Sequence, residues 1–364
     1  MSTVVSQVPI ATATPAGRLK FVDMLRAVSS QLLVWHHLAF YGPLAEQAYP
    51  LAPLLLDWLA DPARFVVQVF LVVGGFGTAH HLAGLHTSGW RRFCLEVAQR
   101  YRRIGIPYLV MLPVAIGANA LAGRWMNHHS ISASPTVAQV MAHIFFLQDL
   151  LHYEPLTAGI WYLGIDFQLF LLTLAVTMLS LRWTEAKGVV QPDRALAVTQ
   201  SVLAVPAILS LFWFNRDPAY DCWGCYYLGS YVLGMVVQWL ISGCLSRPAF
   251  WGYLGLVAAA VAVDWRPRLL VAACTTLAIL LASQGGWLRN WPRSRVIGYL
   301  GRISYSLFLI HFSACLVVSG WLSQWRLTPT QSLAGMAAAW VASLICAILF
   351  HHLVERPCWR RRSA

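Results

Sequence analysis

Ten apolar stretches, each about twenty residues long, run through this 364-residue chain and leave it few ways to fold other than as helices across a membrane. They lie near 19–41, 65–84, 103–122, 160–181, 195–214, 222–243, 249–264, 267–283, 298–320 and 331–354. In lipid every backbone N–H and C=O must find a partner within the span, and a helix supplies those partners locally. Hydrophobic residues make up 58% of the chain, charged ones only 11%, and the mean hydropathy is +0.60. The expected fold class is therefore all-α, a polytopic membrane protein of about ten transmembrane helices. An eleventh stretch, Val137 to Leu151, is shorter and carries His143, Gln148 and Asp149, so it reads as one re-entrant segment.

Charge orients the bundle. With ten crossings, one side collects eighteen of the 26 Lys and Arg, and the positive-inside rule then places both termini in the cytoplasm. Counting 137–151 as a full crossing would put the basic C-terminal tail outside. Trp58, Trp125, Trp183, Trp265, Trp287 and Trp321, near the ends of apolar runs, suit interfacial aromatic belts. The first seventeen residues show no cleavable signal peptide. Residues 1–14 read as a flexible N-terminus, 15–356 as one membrane domain without internal repeats, and 357–364 as a basic cytoplasmic tail. The net charge of +12 sits in short loops, so topology explains it and no nucleic-acid partner is expected. Cys244, Cys274, Cys315 and Cys346 are scattered singly and read as small buried hydrophobes. Cys222 and Cys225 form the one CxxC, but without a second pair no metal site is expected.

The functional signal is polar. Arg26 and His37 lie in the first span, eleven residues apart, so their Cα positions differ by roughly 20° around a helix and roughly 16 Å along it. They share a face at two depths. Ionisable groups in a span face the bundle interior or a water-filled cavity and mark function. An Asp23–Arg26 ion pair three residues apart is the competing structural account of Arg26; it leaves His37 unexplained. His36 points about 100° away and reads as a packing residue, as does His351. Asp166 and Gln168 in the fourth span and His311 in the ninth complete the intramembrane set.

Phe21-Val-Asp-Met-Leu-Arg26 followed by His37 resembles the opening helix of the acyltransferase 3 family of integral membrane acyltransferases. Further segments resemble that family in order: Val73-Gly-Gly-Phe76, Arg100-Tyr-Arg-Arg103 leading to Pro107-Tyr108, Trp161 to Gln168, Gly301 to His311, and Glu355-Arg-Pro357. Two positions depart from the family pattern, which usually has Ser where Gly74 stands and Glu where Asp166 stands. The resemblance implies a bacterial inner-membrane enzyme that moves an acyl group, often acetyl from acetyl-CoA, onto a hydroxyl of a carbohydrate or lipid-linked glycan. Membership of a polysaccharide assembly pathway would follow.

Acyl transfer to a hydroxyl needs a base within hydrogen-bond reach, and imidazole has a suitable pKa; His37 is assigned that role. Arg26 either stabilises the developing oxyanion or grips the donor. Arg100 and Arg103 are expected to bind the phosphates of CoA. Asp166 is expected to orient an imidazole or Arg26, with Asp23, Tyr305 and His311 in supporting positions. Arg91 and Arg92 are left to topology alone. The rival class is a proton-coupled transporter or flippase using the same intramembrane Arg, His and Asp.

Overall fold

The computed structural model describes residues 18–188 and 192–360. The expected N-terminal segment 1–14 and the tail residues 361–364 lie outside them. The helices are α1 Lys20–Tyr41, α2 Pro43–Ala48, α3 Pro53–Ala60, α4 Val67–Leu82, α5 Trp90–Ala122, α6 Val137–Ile144, α7 Trp161–Ala186, α8 Pro192–Phe212, α9 Gly224–Ile241, α10 Arg247–Val263, α11 Pro267–Gln284, α12 Trp287–Asn290, α13 Arg295–Leu322, α14 Pro329–Phe350 and α15 Arg356–Arg360. Among the described residues there is no strand. Residues 357–360 of the expected tail belong to the short helix α15, which follows α14 through a π-turn at His351–Glu355.

Among the described residues, eight helical segments are long and apolar enough to cross a membrane. A helix stands at each of the ten expected spans, but α1 and α10 fall outside that eight. The polar groups Asp23, Arg26, Gln31, His36 and His37 dilute α1, and α10 has only 17 residues. Stretch 137–151 is the eight-residue α6 followed by turns, too short to cross. Its start carries a capping box, Thr136 with Gln139, which satisfies orphan donors at the helix N-terminus.

The long helix α13 packs against α14, α1 and α5, while α4 packs against α9. Lipid supplies no hydrophobic drive between helices, so close backbone approach at small residues does the work. A Cβ on Gly75 would lie 1.9 Å from the Tyr231 carbonyl oxygen, and one on Gly234 would lie 1.9 Å from that of Val72. Helices α4 and α9 therefore touch backbone to backbone. Gly301 does the same for α13 against α1, where a Cβ would stand 2.3 Å from the Asp23 oxygen. Gly75→Ala is expected to cost about 1–3 kcal/mol by overpacking, read as a lower thermal midpoint in detergent. Gly255→Ala, with nothing within 4 Å of the added methyl, should leave the midpoint unchanged or raise it.

Arg18 Nη2 donates to the Gly298 carbonyl at 3.3 Å, and Tyr299 Oη lies 3.2 Å from His352 Nε2. Both ends of the described chain thus meet at the start of α13. They lie at one end of the bundle.

Candidate active site

A cavity of about 340 Å³ opens between α1, α4, α5, α7 and α13, towards the end of the bundle where the chain ends meet. Its wall includes Arg26 from α1, Gly74 and Thr78 from α4, and Glu96, Arg100 and Arg103 from α5. Tyr162 and Asp166 of α7, Arg302, Tyr305 and Phe308 of α13, and Glu355 of the π-turn complete it. Four guanidiniums therefore face three carboxylates, a less one-sided charge than the basic motifs alone imply.

Arg100 and Asp166 pair with each other. Arg100 Nη2 donates to Asp166 Oδ2, and the guanidinium lies 5.1 Å from the centre of the Phe170 ring. Asp166 thus holds Arg100, not an imidazole or Arg26, and Arg100 meets any phosphate with its charge partly matched. The Asp23–Arg26 pair of the competing account does not form, because Asp23 takes a hydrogen bond from Arg18 Nε instead. Asp23 belongs to the end of the bundle, away from the cavity wall. Among the described residues Arg26 makes no hydrogen bond or ion pair, and its half-buried guanidinium faces the cavity. A cation left in that state is suited to gripping an anionic ligand.

Glu96 is 2% exposed and is held from two sides, by His81 Nε2 at 2.7 Å and by Arg92 Nη2 at 2.6 Å. Arg92, assigned to topology alone, is thus also a structural clamp. Tyr305 donates to the Ile104 carbonyl at 2.5 Å, tying α13 to α5 beside the cavity. The two departures from the family pattern face each other: a Cβ on Gly74 would stand 3.3 Å from Asp166 Oδ1.

His37 and His311 lie off the cavity wall and form a pair, with His37 Nδ1 2.7 Å from His311 Nε2 and the rings stacked at 4.9 Å. The six-residue spacing of Tyr305 and His311 hides this, because the partner comes from α1. Protons follow from the network. His311 Nδ1 lies 2.9 Å from the carbonyls of Leu307 and Phe308, and a carbonyl can only accept, so Nδ1 carries the hydrogen. A neutral His311 then accepts at Nε2 from His37 Nδ1–H. His37 Nε2 is left with its lone pair, the state a general base needs. His311 Nε2 is thus placed to hold His37 in one tautomer, the position a carboxylate takes in acyl-transfer triads.

The loop before α7 covers this ring. A Cβ on Gly159 would stand 3.1 Å from His37 Cε1, 3.9 Å from its Nε2 and 3.7 Å from Phe308 Cε2, so Phe308 links the cavity wall to the dyad. Gly159 also holds φ +80°, where a side chain is strained. Gly159→Ala is expected to lower kcat about tenfold or more by displacing the imidazole, a change of about 1.4 kcal/mol, with KM for the donor changing less.

His36 Nδ1 bonds the Leu59 carbonyl at 2.9 Å, which fits a packing role. Gln168 clasps the start of α9, donating to Cys222 O at 3.2 Å and accepting from Gly224 N at 2.8 Å. Burial pushes the Cys222 thiol above its ordinary pKa. Away from the cavity, Glu46, His128 and His129 bring their ligand atoms within 4.8 Å of one another. Sequence reasoning missed Glu355, Tyr162 and Gly159; Glu355 and Tyr162 had a signal, their places in Glu355-Arg-Pro357 and in Trp161 to Gln168, and Gly159 had none.

The model of the acyltransferase 3 family, described as an acyltransferase domain, matches residues 19–352. The chain belongs to this family. The acyltransferase MdmB of Streptomyces mycarofaciens is 25% identical to it over 94% of this chain and 92% of the relative. No solved structure matches. This family member is thus a multi-pass membrane acyltransferase, with its motif residues on two connected features, the cavity and the histidine dyad.

Proposed function

We propose that the protein is an O-acyltransferase, most simply an O-acetyltransferase, that takes its acyl group from acyl-CoA and passes it to a hydroxyl of an envelope or exopolysaccharide glycan or its lipid-linked precursor. The observation that carries this reading is the His37–His311 dyad, with an unpartnered His37 Nε2 next to a cavity that exposes the unpaired Arg26. The donor enters the cavity from the cytoplasm, its anionic part held by Arg26 and Arg103, and its thioester passes Phe308 towards His37. His37 Nε2 takes the acceptor's hydroxyl proton as the oxygen attacks the thioester carbonyl. The C–S bond then breaks, and the thiolate leaves with that proton.

The eighteen basic residues on the side of the termini support a cytoplasmic placement of the cavity, in a bacterial inner membrane, and an acceptor arriving from the other face. The test is incubation of the purified protein with acetyl-labelled acetyl-CoA and glycan acceptors. Label transferred to the acceptor, with release of free CoA, is the expected result. Movement of a substrate across vesicles without thioester consumption would overturn it in favour of a transporter.

A further inference from the structure

Glu355 is a cavity group that the proposed reaction does not use. Glu355 is 0% exposed and stands at the end of the π-turn that interrupts the last long helix, a feature frequent at functional sites. Its Oε2 accepts twice, from Ser306 Oγ at 2.5 Å and from His351 Nδ1 at 2.9 Å. Its Oε1 is buried with no partner, although the residue forms part of the cavity wall. Leaving such an oxygen unmatched costs about 1–3 kcal/mol, more for a charged group. On the same wall Arg100 Nε is a buried donor without a partner. One unmatched acceptor and one unmatched donor are the complement of a secondary amide.

We infer that Glu355 is a binding residue for the amide-bearing pantetheine arm of the acyl donor, its Oε1 accepting an amide N–H. This rests on the acyl-CoA reading above. A phosphate has no proton to give and is repelled by a carboxylate, so the diphosphate belongs with the arginines. The arm carries two secondary amides and is slender enough for a cavity between helices. Glu355 therefore selects for the arm, and the arginines for the anionic end.

The experiment is calorimetric titration of the purified full-length protein with CoA, with pantetheine and with adenosine 3′,5′-bisphosphate. In Glu355→Gln the two donors on Oε2 keep the amide oxygen there, and the NH₂ takes the place of Oε1, where it opposes an incoming N–H. The variant is expected to bind CoA and pantetheine about tenfold or more weakly, and the bisphosphate within about twofold of wild type. Equal weakening for all three probes, or none, overturns the inference. Wild-type protein that binds neither CoA nor pantetheine overturns the donor assignment with it, whereas normal wild-type binding with an unaffected variant overturns Glu355 alone. If the variant does not purify as a monodisperse protein, wild type is titrated with pantetheine methylated on both amide nitrogens. About tenfold weaker binding of that probe supports N–H recognition, and unchanged binding overturns it.

Discussion

His37→Ala is expected to lower acyl transfer by about 10²–10⁴-fold, the range general-base catalysis contributes, with protein insertion and donor binding retained. The ring lies off the cavity wall, so the loss should appear in kcat and leave KM for the donor nearly unchanged. His311 provides the sharper control, because it touches neither the cavity nor, in the proposed scheme, the reacting atoms. His311→Ala frees His37 Nδ1 and lets the ring turn, and is expected to cost about 10- to 100-fold. His311→Gln restores an acceptor near the same place and should recover part of that loss. Radiolabelled acetyl transfer, compared across the three variants at equal protein, measures the series. Wild-type rates in His37→Ala would remove it as the base.

The largest stability effect is expected at Arg100 and Asp166. The carboxylate side chain is 7% exposed and the guanidinium 20%, and removing one partner of such a pair strands the other charge. Asp166→Asn is expected to destabilise by about 3 kcal/mol, the lower end for buried pairs because Arg100 keeps some contact with the cavity. The double variant Arg100→Gln/Asp166→Asn removes both charges and should recover much of the thermal midpoint. A midpoint that falls additively in the double variant would show the two side chains to be independent. Activity separates the roles: if Asp166 acts only through Arg100, donor KM should respond before kcat.

Much of the fold was legible because lipid allows a chain so few solutions. Apolar runs of about twenty residues placed a helix at every expected span, and the short stretch 137–151 announced its failure to cross by length and by His143, Gln148 and Asp149. The number of crossing helices was less legible, since α1 carries its functional polar groups inside the span and so resembles a membrane helix less than its neighbours do. The site was half legible. Arg26, Arg100, Arg103, Asp166 and Tyr305, all picked out by their motifs, line one cavity, but their partners were not readable. Asp23 and Arg26 are one turn apart and still do not pair, because Arg18 reaches Asp23 first. Spacing argued against a direct role for His311, since spacing compares residues on one helix and its partner sits on another.

What the sequence determined alone was the class of solvent, the helices and the residue types that had to be enclosed, because hydropathy and helical periodicity are local properties that any twenty-residue window carries. Only the tertiary structure decided which enclosed groups meet. Backbone contact at Gly75, Gly234 and Gly301 sets how closely the helices approach. The packing of the helices as a whole puts His37 against His311 across 274 residues of chain and Asp166 against Arg100 across 66. It also leaves Arg26 and one oxygen of Glu355 facing a cavity without partners. A hydrogen bond is specified over a few tenths of an ångström, and no pattern of residue types along a chain resolves distances between helices that finely.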